Sequence, residues 1–184
     1  MLFRSKIEAA AKKLGLDKKL SFDLQERGLV VRVVSDNVLF KSGDANLQPD
    51  GEKVLALIGE VLKSVDNPLW IEGNTDDRPV AAGSVYKSNY GLSTLRAESV
   101  LLYLAQTVGL DETRMRPTGW GSTHPISTNA SEEGRAKNRR VEIVVVSKAV
   151  DAALSAGGLT DAPASATPVK PELGTIGTNL KITP

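Results

Sequence analysis

The chain has 184 residues, 24% of them charged and 41% apolar, which is the composition of a soluble globular domain with residues to spare beyond one core. A formal net charge of +1 gives no electrostatic reason to expect nucleic acid as a partner. One His and no Cys exclude disulfides, thiol chemistry and the usual zinc ligand sets, so no metal and no cofactor are expected.

The first residues, MLFRSKIEAAAKKLGL, contain no apolar run able to span a membrane and no signal-peptide core. They imply either a cytosolic protein or a soluble piece of something larger. Residues 5–16 predict a short basic helix, with Ile7, Ala10, Ala11 and Leu14 at helical spacing and Gly15 as its stop. A hairpin follows. Leu20, Phe22 and Leu24 alternate with polar residues, Glu26-Arg27-Gly28 is a turn signal, and residues 29–34 are a second β-branched run. After Phe40 comes a loop containing Gly43.

Pro49 suits the first turn of a helix, with Asp50 and Glu52 at its positive end. Val54, Leu57, Ile58, Val61, Leu62 and Val65 form its apolar stripe, and Asp66-Asn67-Pro68 ends it. A short strand through Leu69-Trp70-Ile71 stops at Gly73 and opens into a polar turn with Asp76 and Asp77. A loop with Pro79 and Gly83 leads to a second long helix, residues 89–108, closed by Gly109. Residues 115–119 read as a strand, 122–130 as a polar loop, 132–138 as a short helix, and 141–146 as a β-branched central strand. From Ala149 onward Ala, Gly, Thr, Pro and Ser dominate, which predicts a largely disordered tail. The element order predicts an α+β fold in which helices cover a mixed sheet.

One residue conflicts with this pattern. On a helical wheel of about 100° per residue, Thr94, Glu98 and Ala105 face outward. Asn89, Ser93, Arg96, Val100, Tyr103 and Leu104 face the sheet, flanked by Leu92, Leu95, Ser99 and Leu102. An inward guanidinium is costly unless it is paired. By topology its expected partner is Asp76 or Asp77. Two readings stay open on the residues alone. One is a structural ion pair between helix and loop. The other is a bipolar pocket in which a carboxylate takes a ligand ammonium and Arg96 takes a ligand carboxylate.

The other polar groups carry less. His124, alone in a polar loop, reads as a surface residue. Asp76 and Asp77 could be taken for an acid/base pair or a cation site, but adjacent side chains diverge, Arg78 and Arg96 oppose a metal, and no nucleophile, base and oxyanion set is present. No enzymatic activity is expected. Arg135, Lys137, Arg139 and Arg140 read as a solvated basic face, with attraction to an anionic surface as the alternative. Trp120 between two glycines reads as packed under its loop, with sugar stacking as the alternative.

Gly73-Asn74-Thr75-Asp76, Asn89-x-x-Leu92-Ser93-x-x-Arg96-Ala97, Gly119-x-Gly121 and Asn138-Arg139-Arg140-Val141-Glu142-Ile143 together resemble the OmpA-like peptidoglycan-binding domain over residues 38–146. Within that family the chain is most similar to the periplasmic part of MotB-type flagellar stator proteins. The Pro-containing loop after Asp76, the Ser88-Asn89-Tyr90 entry, and the leading helix and hairpin carry that likeness. The resemblance implies a β/α/β/α/β-β two-layer sandwich that binds the peptide stem of peptidoglycan without cleaving it. Asp76 and Arg96 would hold the free end of a diaminopimelate residue, with Thr75, Asn89 and Arg139 close by. It further implies a periplasmic, dimeric part of a single-span inner-membrane protein working with a MotA-type subunit in motility. A general envelope tether or secretion-system anchor is the alternative, and a cell-wall peptide hydrolase a weaker one. The expected division is a linker helix over 1–18, the domain over 19–147 with its core at 38–147, and the tail over 148–184. Two departures stand out. Asn74 replaces the usual His and cannot titrate near neutrality, and the family's membrane helix is not in this sequence.

Overall fold

The computed structural model describes residues 20–33 and 36–156, together with isolated positions between 5 and 15. The elements are β1 (Leu20–Gln25), β2 (Gly28–Val33), α1 (Asp36–Leu39), α2 (Pro49–Leu62), β3 (Leu69–Asn74), α3 (Asn89–Leu102), β4 (Met115–Gly119), α4 (Glu132–Asn138), β5 (Arg140–Val146) and α5 (Lys148–Ala156). One sheet runs in the order β1-β2-β5-β3-β4. β1/β2, β2/β5 and β5/β3 are antiparallel, whereas β3/β4 is parallel. This is the expected helix-covered mixed sheet. β5 is central and buried along its whole length, as its β-branched run predicts. It enters between β2 and β3, so the last strand among the described residues completes the sheet from within. Pro117 sits on β4, an edge strand, where a missing N–H is tolerated.

The period-2 alternation of β5 divides the molecule into two faces. Val141, Ile143 and Val145 join Val31, Val33, Leu69, Ile71 and Met115 in the main core. Against them pack Val54, Leu55, Ile58 and Leu62 of α2 and Ala97 and Val100 of α3. On the other face Val144 and Val146 meet Val30, Trp70 and Val150, beside a row of charged side chains.

Two glycines bring α3 down onto the strand ends. A Cβ at Gly73 would lie 2.0 Å from the Ser93 carbonyl oxygen, and one at Gly119 would lie 2.1 Å from Thr94 Oγ1. The first turns of α3 therefore rest directly on the ends of β3 and β4, and this contact places the site.

Several elements differ from the sequence expectation. α3 ends at Leu102 and continues as a π-helical segment, Tyr103–Val108, before Gly109 at φ 85°. Leu95 and Leu102, expected to flank the buried side, are 40% and 39% exposed because the arc that meets the sheet is centred on Ser93, Arg96, Ala97 and Val100. A helix, Lys148–Ala156, stands where the composition predicted the start of a disordered tail. Its Val150 has an apolar patch of the sheet to cover, which composition alone cannot reveal. Of the leading segment only Ser5, Glu8, Ala9, Ala11, Lys12 and Gly15 are described; the first five are helical, Gly15 is a turn at φ 66°, and Ala11 is buried in the main core. The rest of it and residues 157–184 lie outside the described residues.

Candidate functional site

The pairing of β3 with β4 continues past the strand ends. Trp120 N–H donates to Gly73 O at 2.9 Å, and Thr75 N–H to Gly121 O at 2.8 Å. Gly121 N–H donates to Ser93 Oγ at 2.9 Å, so the two strand ends and α3 are tied at one point. From this anchor the chain carries Thr75 and Asp76 over the rim of the sheet. Thr75 Oγ1 donates to Asp76 O at 2.9 Å. The Asp76 carboxylate accepts from its own loop, Arg78 N–H at 3.1 Å, an Asx turn that fixes its direction.

Ser88 caps α3 by accepting from Gly91 N–H at 3.1 Å. The next residue, Asn89, donates back to the loop, to Arg78 O at 2.9 Å and Asp76 O at 3.3 Å. Two turns further along, Arg96 points inward and is 2% exposed. Its Nε donates to Asp44 O at 2.8 Å and its Nη2 to Lys41 O at 3.3 Å, and its guanidinium lies 5.1 Å from the Phe40 ring centroid. The loop that offers these carbonyls is itself held. Asp44 Oδ1 accepts from Ala45 N–H at 2.7 Å and Asn46 N–H at 3.1 Å, and from Tyr86 Oη at 3.0 Å. The Asn46 backbone bond, with those from Tyr86 and Ala45, keeps the Asp44 carboxyl below its ordinary range despite some burial. Ser99 Oγ donates to Ala45 O at 2.7 Å.

Arg139, at the C-terminal end of α4, donates from Nη1 to Asp76 Oδ2 at 2.8 Å and from Nη2 to Glu132 Oε1 at 2.9 Å. Glu132 also accepts from Arg135 Nη2 at 2.9 Å and pairs with Arg78 at 3.3 Å. The hydrogen bonds from Arg139 and Arg135 hold its carboxyl below the usual glutamate range.

These groups enclose a concave cavity of about 530 Å³. All five residues singled out from the sequence, Thr75, Asp76, Asn89, Arg96 and Arg139, line it. Asp77 is exposed and does not, which removes it as an alternative to Asp76. The partners differ from the expected helix-to-loop ion pair. Carbonyls of the 41–44 loop hold Arg96, and Arg139 meets the Asp76 carboxylate. Carbonyl oxygens leave no mark in a sequence, so this support could not be read there. The sequence reading also missed Arg78 and Glu132 on the cavity wall. The basic run after Glu132 is not a bare solvated face. Arg135 and Arg139 have 14% and 18% exposed side chains and share Glu132. The spacing of Glu132, Arg135 and Arg139 along one helix face was the available signal. A carboxylate and a guanidinium on one cavity suit a ligand bearing an ammonium and a carboxylate. Among the described residues no cluster of three or more His, Asp or Glu could hold a metal ion.

The OmpA family pattern matches residues 39–139. Motility protein B of Bacillus subtilis is 31% identical over 146 residues, 78% of this chain and 54% of that protein. Peptidoglycan-binding protein ArfA of Mycobacterium tuberculosis is 39% identical over 114 residues, 61% of this chain and 33% of that protein. Among solved structures, the cell wall anchor of the type VI secretion system from Pseudomonas aeruginosa is 32% identical with a TM-score of 0.69, over 79% of this chain and 99% of that one. The chain thus spans about half the length of its motility relative, and less of ArfA.

Proposed function

This chain belongs to the OmpA family, and from that premise we propose that it is a non-catalytic cell-wall anchor whose 530 Å³ cavity binds peptidoglycan. The bound group is the free ammonium-and-carboxylate end of a diaminopimelate residue in the stem peptide. Asp76 takes the ammonium and Arg96 the carboxylate. Asn89 and Thr75 hold the rim, and Arg139 sets the position of Asp76. The observation that carries this reading is the meeting of a buried carboxylate, Asp76, and a buried guanidinium, Arg96, on one cavity. They reach it from elements 20 residues apart in sequence.

We further infer a periplasmic location and a role in fixing a flagellar stator unit to the wall. In that role the protein is a dimer that works with a MotA-type subunit through a single inner-membrane span. The likeness to Motility protein B supports this. The likeness to a secretion-system cell wall anchor favours a second reading, the same binding chemistry serving a different envelope machine.

Retention on purified peptidoglycan tests the site. Asp76→Asn and Arg96→Lys are expected to lose retention, and wild-type retention by both would overturn the assignment. Incubation with muropeptides should yield no new fragment by mass spectrometry; turnover would replace binding with hydrolysis. The two machines separate genetically: loss of swimming on deletion supports the stator, and normal swimming supports the other anchor.

A further inference from the structure

The sheet face turned away from α2 and α3 carries a second polar pocket that the proposed function does not use. It has a volume of about 290 Å³ and is floored by charged residues of β2, β3 and β5 and walled by the loop after β4. Glu72 and Glu142 face each other directly across β3 and β5 and are 4% and 3% exposed. Two like charges in such a cross-strand pair repel. Guanidiniums resolve the repulsion. Arg27 Nη1 bonds both Glu72 oxygens, at 2.7 and 2.8 Å. Arg32 pairs with Glu142 and with Asp23, and Arg140 Nε donates to Glu142 at 3.0 Å. Three guanidiniums thus meet three carboxylates. Asp23 stands outside the pocket, so three guanidiniums and two carboxylates line the floor, and the cluster is charge-balanced only with Asp23 counted. The floor presents N–H donors and carboxylate acceptors side by side.

Two further features point to a ligand. Asn74 lines this pocket, is 1% exposed, and its Oδ1 has no hydrogen-bond partner among the described residues. A buried acceptor left in that state is uncommon and disfavoured. At the rim Trp120 and His124 form an aromatic pair, ring centroids 4.2 Å apart and tilted by 47°. A second cavity of about 400 Å³ adjoins the first, sharing Arg32, Ile126 and Arg140, and its wall includes Val33 and Ala136. The two form a groove that is polar at one end and more apolar at the other.

We propose that this groove is a subsite for a neutral oligosaccharide of N-acetylated amino sugars. A floor of paired donors and acceptors matches hydroxyl groups, which both donate and accept. Its guanidiniums are each engaged by a carboxylate, Arg32 partly by Asp23 beside the pocket. The aromatic rim suits the C–H face of a sugar ring. Asn74 Oδ1 accepts from an acetamido N–H, and the apolar end takes the acetyl methyl. The site goes beyond the stem-peptide reading and does not rest on it, because it occupies the opposite face of the sheet.

The test is a titration of ¹⁵N-labelled protein with peptide-free tetra-N-acetylchitotetraose, with cellotetraose as the second arm. The Trp120 indole and Asn74 amide signals are expected to shift with the first sugar. Asn74→Leu, which removes the orphan acceptor at similar size, is expected to weaken that binding at least tenfold. Trp120→Ala is the second variant should Asn74→Leu fail to fold. Asp76→Asn should leave oligosaccharide binding unchanged. Absence of shifts at Trp120 and Asn74, or their loss in Asp76→Asn, would overturn the site. Equal shifts with cellotetraose would overturn the acetamido assignment.

Discussion

Replacing Asp76 by Asn removes one charge at nearly constant size and separates the two jobs assigned to this carboxylate. The first is structural. Asp76 accepts from Arg139 Nη1 and from Arg78 N–H. Asn keeps an acceptor for Arg78 but turns an amide N–H₂ toward the guanidinium. Arg139 retains its bond to Glu132 at 2.9 Å, so the cation is not stranded. The expected loss of stability is therefore about 1–3 kcal/mol, that of one hydrogen bond to a charged group, rather than the larger loss of an orphaned buried charge. The second job is binding. A ligand ammonium loses a charge-assisted bond of about 1.5–3 kcal/mol, which weakens affinity roughly 10- to 150-fold. Urea unfolding gives the first quantity. Calorimetric titration with a diaminopimelate-containing stem peptide gives the second, at a temperature where the variant is fully folded. Binding within threefold of wild type would refute the role of Asp76. A folded variant with lost binding would support it.

Three other outcomes follow from the same contacts. Glu142→Ala leaves the buried Arg140 guanidinium without its carboxylate and should cost about 3–5 kcal/mol in urea unfolding. Burial pushes the Glu142 carboxyl up, but Arg140 and Arg32 outweigh it and hold the group below its ordinary range. Its stabilisation is thus complete above the unfolded value, about 4.3, and is lost as pH falls through the lower folded value. The gap between wild type and Glu142→Ala should narrow on acidification below about pH 4, and a constant gap would contradict this. Gly73→Ala drives a methyl into the Ser93 carbonyl and should lower stability by about 1–3 kcal/mol or more in thermal melts. Tyr86→Phe removes the hydroxyl that bonds Asp44 and Ala45. It should cost about 1 kcal/mol and loosen stem-peptide binding, read by the same calorimetric titration.

What the sequence revealed and what it hid follow from the range of the interactions. The hairpin, the two long helices and the central β5 are written in local periodicity and propensity. The oddity of Arg96 was equally local, since it needed only a wheel. Its partners were not local. They include backbone carbonyls from residues 41 and 44, about 50 positions earlier, and any residue type supplies a carbonyl. Glu132 was hidden in another way. Its role depends on Arg139 reaching back to Asp76, 63 positions earlier, while Arg135 stays on the helix. The helix Lys148–Ala156 was masked by composition. Its own window, KAVDAALSA, is rich in alanine, a strong helix former, and Val150 adds packing against Val30, Val144 and Val146.

The adjacent residues Arg139 and Arg140 show how the two faces are joined. Arg139 turns to Asp76 and the cavity under α3, whereas Arg140 turns to Glu142 on the opposite face. The same division falls between Asn74, which lines the open-face pocket, and Thr75, which lines the other. Asn74 and Arg140 are register partners, so the divide runs across the paired ends of β3 and β5. Side chains alternate with a period of two, so a one-residue slip there would exchange the faces and dismantle both sites together. The buried length of β5 and the glycine contacts at Gly73 and Gly119 oppose that slip. The rigidity of this corner is therefore a condition for Asp76 and Arg96 to meet on one cavity, and not only a contribution to stability.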